Sequence, residues 1–100
     1  MIIRTEMYKF QARQGRLALA HLRDHASLMV RTRGCLEARV ARSPDDSDQY
    51  LVYSRWDSRE SHGAMVLQLR RNQEAQKPLL ALLPMLEGEP RVGHYEALEG

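Results

Sequence analysis

The side chains of this sequence with the widest chemical use are its histidines, three of which fall in predicted helices. An imidazole titrates near neutral pH, so a histidine can accept a proton from a substrate as a general base. His21 and His25 are four residues apart and are therefore neighbours on one side of a helix. His62 lies in the second predicted helix. These three histidines are the candidate catalytic residues.

The helical segments that carry these histidines are amphipathic. On a helical wheel, His21 and His25 fall in the apolar arc of the first helix, and His62 shares the apolar face of the second with Met65 and Leu69. A pocket lined by apolar side chains, with a histidine as its polar contact, is typical of a small-molecule site. The alternative is that each histidine is a hydrogen-bonded residue of the core or its rim, and the sequence leaves both interpretations open.

A metal site would need more ligands than the sequence groups together. His21 and His25 could supply two, whereas a zinc ion takes three or four protein ligands, and no further ligand stands at a fixed spacing. Cys35 is the only cysteine, so neither an internal disulfide nor a cysteine-based metal site can form. We predict no metal, and the single thiol fits a reducing cytoplasm.

Composition and charge exclude several classes of protein. The chain has 15 basic and 13 acidic residues, and the arginines are scattered among acids without a basic, aromatic-containing stripe, which argues against nucleic-acid binding. No segment approaches the roughly 20 apolar residues of a membrane span, and the first residues do not resemble a signal peptide. The hydrophobic fraction of 43% is that of an ordered globular protein. We expect a single cytoplasmic domain over residues 1–100, with no membrane partner.

Local patterns predict four strands and two helices. Glycine, proline and Asp/Ser clusters separate segments of β-branched, aromatic or alternating residues from segments rich in leucine and alanine. Gly34 should stop the first helix, Asp57 or Ser58 should cap the second in a box with Glu60, and Pro78 should end it. Strands are predicted at 2–10, 35–43, 49–56 and 91–98, helices at 15–33 and from 57 or 58 to about 77, and a short helical turn or packed loop at 79–86.

The element order βαββαβ predicts an α+β domain in which two helices cover one face of a four-stranded antiparallel sheet. The third strand has large side chains on both faces, with Leu51 and Tyr53 on one and Tyr50, Val52 and Trp56 on the other. The helix-free face therefore also needs cover. A second copy of the sheet would supply it, which predicts a homodimer.

Two stretches, Gly34–Glu37 and Tyr50–Ser61, resemble the antibiotic biosynthesis monooxygenase family. The family pattern has a Gly-Cys turn entering the second strand, then an apolar strand ending in Trp and an acidic helix start. Gly15 matches the glycine that precedes the first helix. The resemblance covers nearly the whole chain in element order and spacing.

This resemblance implies a ferredoxin-like fold, a dimeric α+β barrel and a pocket between sheet and helices. It also implies a cofactor-independent monooxygenase that oxidises a small aromatic, polyphenolic or quinone-type molecule with dioxygen. No cofactor is expected, because an ionised phenol is itself electron-rich and the protein need only bind it, remove a proton and exclude water. The candidate substrate-binding residues are Tyr8, Tyr53, Met65, Leu69 and Trp56.

The sequence departs from the family pattern in ways that keep other functions open. Many members have a histidine where Met65 stands, and His62 lies one turn earlier on the same face. The haem-degrading branch needs Asn, Trp and His where this chain has Tyr8, Met65 and Ala75, so haem degradation is disfavoured. The main alternative is a non-catalytic dimeric small-molecule-binding or stress-response module. A histidine hydrogen-bonded in an open pocket would favour the enzyme, whereas a pocket filled by Met65, Leu69 and 79–86 would favour the module.

Overall fold

A computed structural model describes residues 1–98 and shows a four-stranded antiparallel sheet in the order β2-β3-β1-β4. The predicted α+β, ferredoxin-like arrangement is confirmed, and the last two residues of the predicted domain lie outside the described part. The elements are β1 Ile2–Lys9, α1 Gly15–Val30, β2 Cys35–Arg42, β3 Gln49–Trp56, α2 Arg59–Arg71, α3 Gln73–Leu82, a 3₁₀ turn Leu83–Met85 and β4 Arg91–Glu96.

The core forms where one face of the sheet meets the helices. Alternation along β3 directs Tyr50, Val52, Ser54 and Trp56 to this face, and all four are buried. Helix α1 packs across β2 and β3, α2 contacts β3, and α3 packs against α1 and α2. The opposite face carries no helix, and its side chains on β3 are only half-buried.

The second predicted helix is two helices, which corrects its predicted extent. Asn72 has extended backbone angles, φ −99° and ψ 114°, that end α2, and its side-chain oxygen accepts from the backbone N–H groups of Glu74 and Ala75 to cap α3. Pro78 lies inside α3 rather than ending a helix. A proline removes one hydrogen bond from the turn before it, and the orphaned carbonyl belongs to the exposed Glu74, where water can replace the bond.

The turn before β2 explains why the sequence has glycine at position 34. Helix α1 ends at Val30, three residues earlier than predicted, and Gly34 adopts φ +89° in the turn that follows. A Cβ atom there would lie 2.2 Å from the Ser61 hydroxyl oxygen. Ser58 caps α2 by accepting from the Ser61 backbone N–H, so the predicted pairing of Asp57 with Glu60 is replaced by one between Ser58 and Ser61.

No helix within residues 1–98 is both long enough and apolar enough to cross a membrane.

Candidate functional site

Strand β1 carries three polar residues into the face covered by the helices. Arg4, Glu6 and Tyr8 alternate with residues of the opposite face and lie between the buried Ile2 and Phe10. The Glu6 side chain is only 2% exposed. A carboxyl group at this depth is expensive to bury unless its oxygens are paired, so its partners define the site.

Glu6 is the centre of a buried hydrogen-bond network. Its Oε1 lies 2.8 Å from His25 Nε2 and accepts a hydrogen bond of 2.6 Å from the Tyr8 hydroxyl. Its Oε2 accepts from Arg4 Nε at 3.3 Å. Three side chains from β1 and α1 thus converge on one carboxylate, and each bond is strengthened by its charge.

The network favours the ionised form of Glu6. Burial raises the pKa of Glu6, but the hydrogen bond and charge of His25, the charge of Arg4 and the Tyr8 hydroxyl together hold it below its usual value. Burial, and then the charge and hydrogen bond of Glu6, raise the pKa of Tyr8 far above its usual value. Tyr8 therefore stays protonated and donates its hydroxyl hydrogen to Glu6.

His25 has one ring nitrogen engaged and the other free. An ionised carboxylate can only accept, so His25 Nε2 carries the hydrogen that it shares with Glu6. Nδ1 is buried and has no hydrogen-bond partner among the described residues. In the neutral imidazole this nitrogen is an acceptor, and in the imidazolium, whose charge lowers the pKa of Glu6, it carries a hydrogen. Glu6 thus orients His25 so that Nδ1 is the position that takes up a proton, in the way that a carboxylate orients the histidine of a catalytic triad.

A small cavity of about 60 Å³ borders His25, between α1, α2 and α3. Its apolar wall includes Met29, Met65 and Leu69, and polar side chains lie at its outer end: Thr32, Gln68, Asn72 and Glu74. Pockets that enclose a small-molecule ligand are usually about 300–1,000 Å³, so this cavity is too small for a polycyclic phenol or a haem without movement of its walls.

His62 belongs to the edge of the same network. Its Nε2 lies 3.4 Å from Arg4 Nη1, and its ring packs edge-on against Trp56 and 5.4 Å from the His94 ring centre. Burial, followed by the positive charges of Arg4 and His94, lowers the pKa of His62. This shift favours the neutral form of His62, whose Nε2 lies next to Arg4, and His62 does not line the cavity.

The structure brings some of the predicted site residues together and separates others. Met65 and Leu69 line the cavity, and Tyr8 reaches it only through Glu6 and His25. Trp56 is fully buried and donates from Nε1 to the Ser54 hydroxyl at 3.0 Å. His21 is half-buried on α1 outside the network, and Tyr53 lies on the helix-free face of the sheet.

Sequence reasoning missed Glu6 and Arg4, although a signal for them was present. Counting by twos from Ile2 through β1 reaches Arg4, Glu6, Tyr8 and Phe10 in turn. Two charged residues on a strand face bounded by Ile and Phe indicate a paired, buried group. Alternation could not identify His25 on α1 as the partner of Glu6, because it describes positions along one strand and not which helix residue packs against them.

Metal and haem binding gain no support from this geometry. Within the described residues, no group of three or more His, Cys, Asp or Glu side chains is arranged to hold a metal ion. The three positions where the haem-degrading pattern needs Asn, Trp and His are all buried: Tyr8, Met65 and Ala75.

Comparison with known proteins identifies both a sequence family and a set of structural relatives. Residues 1–66 match the family model described as antibiotic biosynthesis monooxygenase. No curated protein sequence matches the chain significantly.

Similar solved structures share the fold over nearly the full length. A candidate antibiotic biosynthesis monooxygenase from Nitrosomonas europaea is 12% identical, with a TM-score of 0.85 over 99% of this chain and 100% of that one. One from Deinococcus radiodurans is 22% identical, with a TM-score of 0.82 over 100% and 95% of the two chains. A mutant of SnoaB, a cofactor-independent oxygenase from Streptomyces nogalater, is 12% identical, with a TM-score of 0.81 over 99% and 94%.

Proposed function

Because this chain belongs to the antibiotic biosynthesis monooxygenase family, we propose that it oxidises a small phenolic or quinone-forming aromatic molecule with dioxygen and no cofactor. The observation that carries this proposal is the free Nδ1 of His25, which is buried, oriented through Nε2 by Glu6, and part of a residue that borders the cavity. SnoaB, a cofactor-independent oxygenase, shares the fold.

The proposed reaction needs one base and a dry site. His25 Nδ1 takes a proton from the substrate, and the resulting electron-rich anion reduces dioxygen and then forms a carbon–oxygen bond with it. Loss of water from the hydroperoxide leaves a carbonyl, so a CH₂ group and O₂ give C=O and H₂O. Glu6 stabilises the imidazolium that forms, as the carboxylate of a triad does, and apolar walls exclude water.

Substrate binding must enlarge the cavity beside His25. Asn72 is the extended residue between α2 and α3, and it lies at the cavity's outer end. Moving the α2–α3 corner outward at this residue would widen the space without breaking either helix. Hinges of this kind are short segments at element ends that absorb the backbone change.

We expect the purified protein to consume dioxygen when supplied with anthrone or naphthol, whose keto forms carry the CH₂ group that the reaction converts to a carbonyl. Uptake measured with an oxygen electrode should saturate with at least one of these compounds and should yield one quinone-type carbonyl per O₂. His21→Gln should retain the activity, because His21 lies outside the network. Uptake no faster than the protein-free rate with every compound would reject the oxygenase.

The small size of the cavity favours a second candidate, a binding module without turnover. Titrating the protein with the same compounds while following Trp56 fluorescence separates the two candidates. Trp56 is the only tryptophan, and its fluorescence reports on the core. Saturable quenching without oxygen uptake would support the module in place of the enzyme.

We also propose that the protein is a homodimer joined through the helix-free face of the sheet. This face carries an apolar group made of Ile3, Met7, Leu51, Tyr53 and Tyr95, of which Met7 and Tyr95 are 41% and 60% exposed. An exposed apolar surface on a sheet is typical of an interface. Light scattering at micromolar concentration should give twice the 11.6 kDa chain mass.

Leu51→Lys, which places a charge in the middle of that face, should yield the monomer mass. A monomer in the unaltered protein would contradict the proposal.

The cytoplasmic location indicated by the single thiol stays a prediction.

A further inference from the structure

A second cleft, of about 490 Å³, lies between the start of α1 and the end of β2. Three arginines line it, Arg13, Arg16 and Arg42, and all three are exposed. None of its lining residues borders the cavity beside His25. Arg13 and Arg16 are three residues apart in the sequence, and the fold brings Arg42 of β2 beside them.

The positive charge of this cleft is not neutralised by neighbouring acids. Within residues 1–98, none of the three arginines forms a salt bridge. The one carboxylate that lines the cleft, Asp48, accepts hydrogen bonds from the backbone N–H groups of Arg13 at 3.1 Å and Gly15 at 3.0 Å. Three arginines and one carboxylate therefore line the cleft, so positive charges outnumber negative ones there.

Asp48 also explains how the cleft is held in shape. Its two hydrogen bonds tie the loop before β3 to the start of α1. Gly15 fits closely there, since a Cβ atom at this position would lie 2.8 Å from the Ser47 carbonyl oxygen. The backbone that carries Arg13 and Arg16 is thus held in place, and the buried Tyr50 lines the same cleft.

We propose that this cleft binds a small organic phosphate. A guanidinium is always charged, and its planar fork matches two oxygens of a phosphate, so arginines from two elements can hold one dianion from different sides. The volume falls within the range of small-molecule sites and exceeds what a bare phosphate fills, which leaves room for an organic group. The Ser47 and Tyr50 side chains line the remaining wall. The proposal is independent of the oxygenase reaction.

The test is a calorimetric titration of the full chain with phenyl phosphate, inorganic phosphate and phenol. We expect saturable binding of phenyl phosphate with a Kd below about 1 mM, and weaker binding of the other two. The double variant Arg16→Gln/Arg42→Gln should weaken binding about tenfold or more, since each removes a charged hydrogen-bond donor. The matched control Arg70→Gln/Arg71→Gln makes the same change in net charge at exposed positions outside the cleft.

Equal weakening in both double variants would show general charge attraction and overturn the proposal, as would the absence of saturable binding. If inorganic phosphate binds as tightly as phenyl phosphate, the organic group contributes nothing and the proposal of an organic phosphate is overturned. Tighter binding of a single-stranded oligonucleotide would replace the proposal with nucleic-acid recognition. His25→Gln should leave phenyl phosphate binding unchanged, so this result does not depend on the oxygenase assay.

Discussion

His25→Gln should lower the rate of aromatic oxidation by about 10²–10⁴-fold, the usual contribution of a positioned general base. A glutamine amide can still donate to Glu6 from the position of Nε2, so the carboxylate keeps its partner. It has no group that can accept a proton at the position of Nδ1. The loss should therefore appear in kcat, measured by oxygen uptake with the best compound of the panel.

The control for this prediction is His21→Gln, one turn away on the same helix. We expect it to change kcat by less than about threefold, because surface substitutions outside a network have small effects. Circular dichroism should show both variants folded. A folded His25→Gln variant that keeps its rate would exclude His25 as the base and leave His62 as the remaining buried candidate.

Glu6→Ala should lower the free energy of unfolding by about 3–5 kcal/mol, the usual effect of removing one partner from a buried charged pair. The substitution leaves His25, Arg4 and Tyr8 without their shared acceptor in the interior. Urea unfolding followed by Trp56 fluorescence measures the change. Glu96→Ala should change stability by less than about 1 kcal/mol, because Glu96 pairs with Arg59 only at exposed positions away from the helix-free face.

The pH dependence of stability gives a second measurement on Glu6. Because the pKa of Glu6 is lowered from 4.5 on folding, its contribution is complete above pH 4.5 and is lost as the pH falls from there through the folded-state pKa. Glu6→Gln keeps the size of the side chain and cannot ionise, so its stability should fall less over that interval. Equal acid sensitivity in the two proteins, or a small effect of Glu6→Ala, would mean that Glu6 is not held as a buried carboxylate.

Local pattern was sufficient for most of the fold. β-Branched, aromatic or alternating residues and the turns between them located β1 to β4. Turn and capping residues located the Gly34 turn and the Ser58 cap region, because these features depend on residues close together in sequence. The break at Asn72 was missed because it depends on packing between elements that are far apart in sequence. A proline is a strong local signal and an asparagine a weak one, yet packing of Ala75, Pro78 and Leu82 into the core favoured a new helix that continues through the proline.

The element order, the two faces of each strand and the family pattern can be read from the sequence, since all of these follow from spacing along the chain. Which histidine meets a carboxylate cannot be read in this way, because Glu6 and His25 are 19 residues apart and their contact depends on how α1 packs across the sheet. The same holds for the size of the cavity and for the approach of Arg42 to Arg13 and Arg16. Distances between residues far apart in sequence are set by the packing of whole elements, and no local pattern of residue types records them.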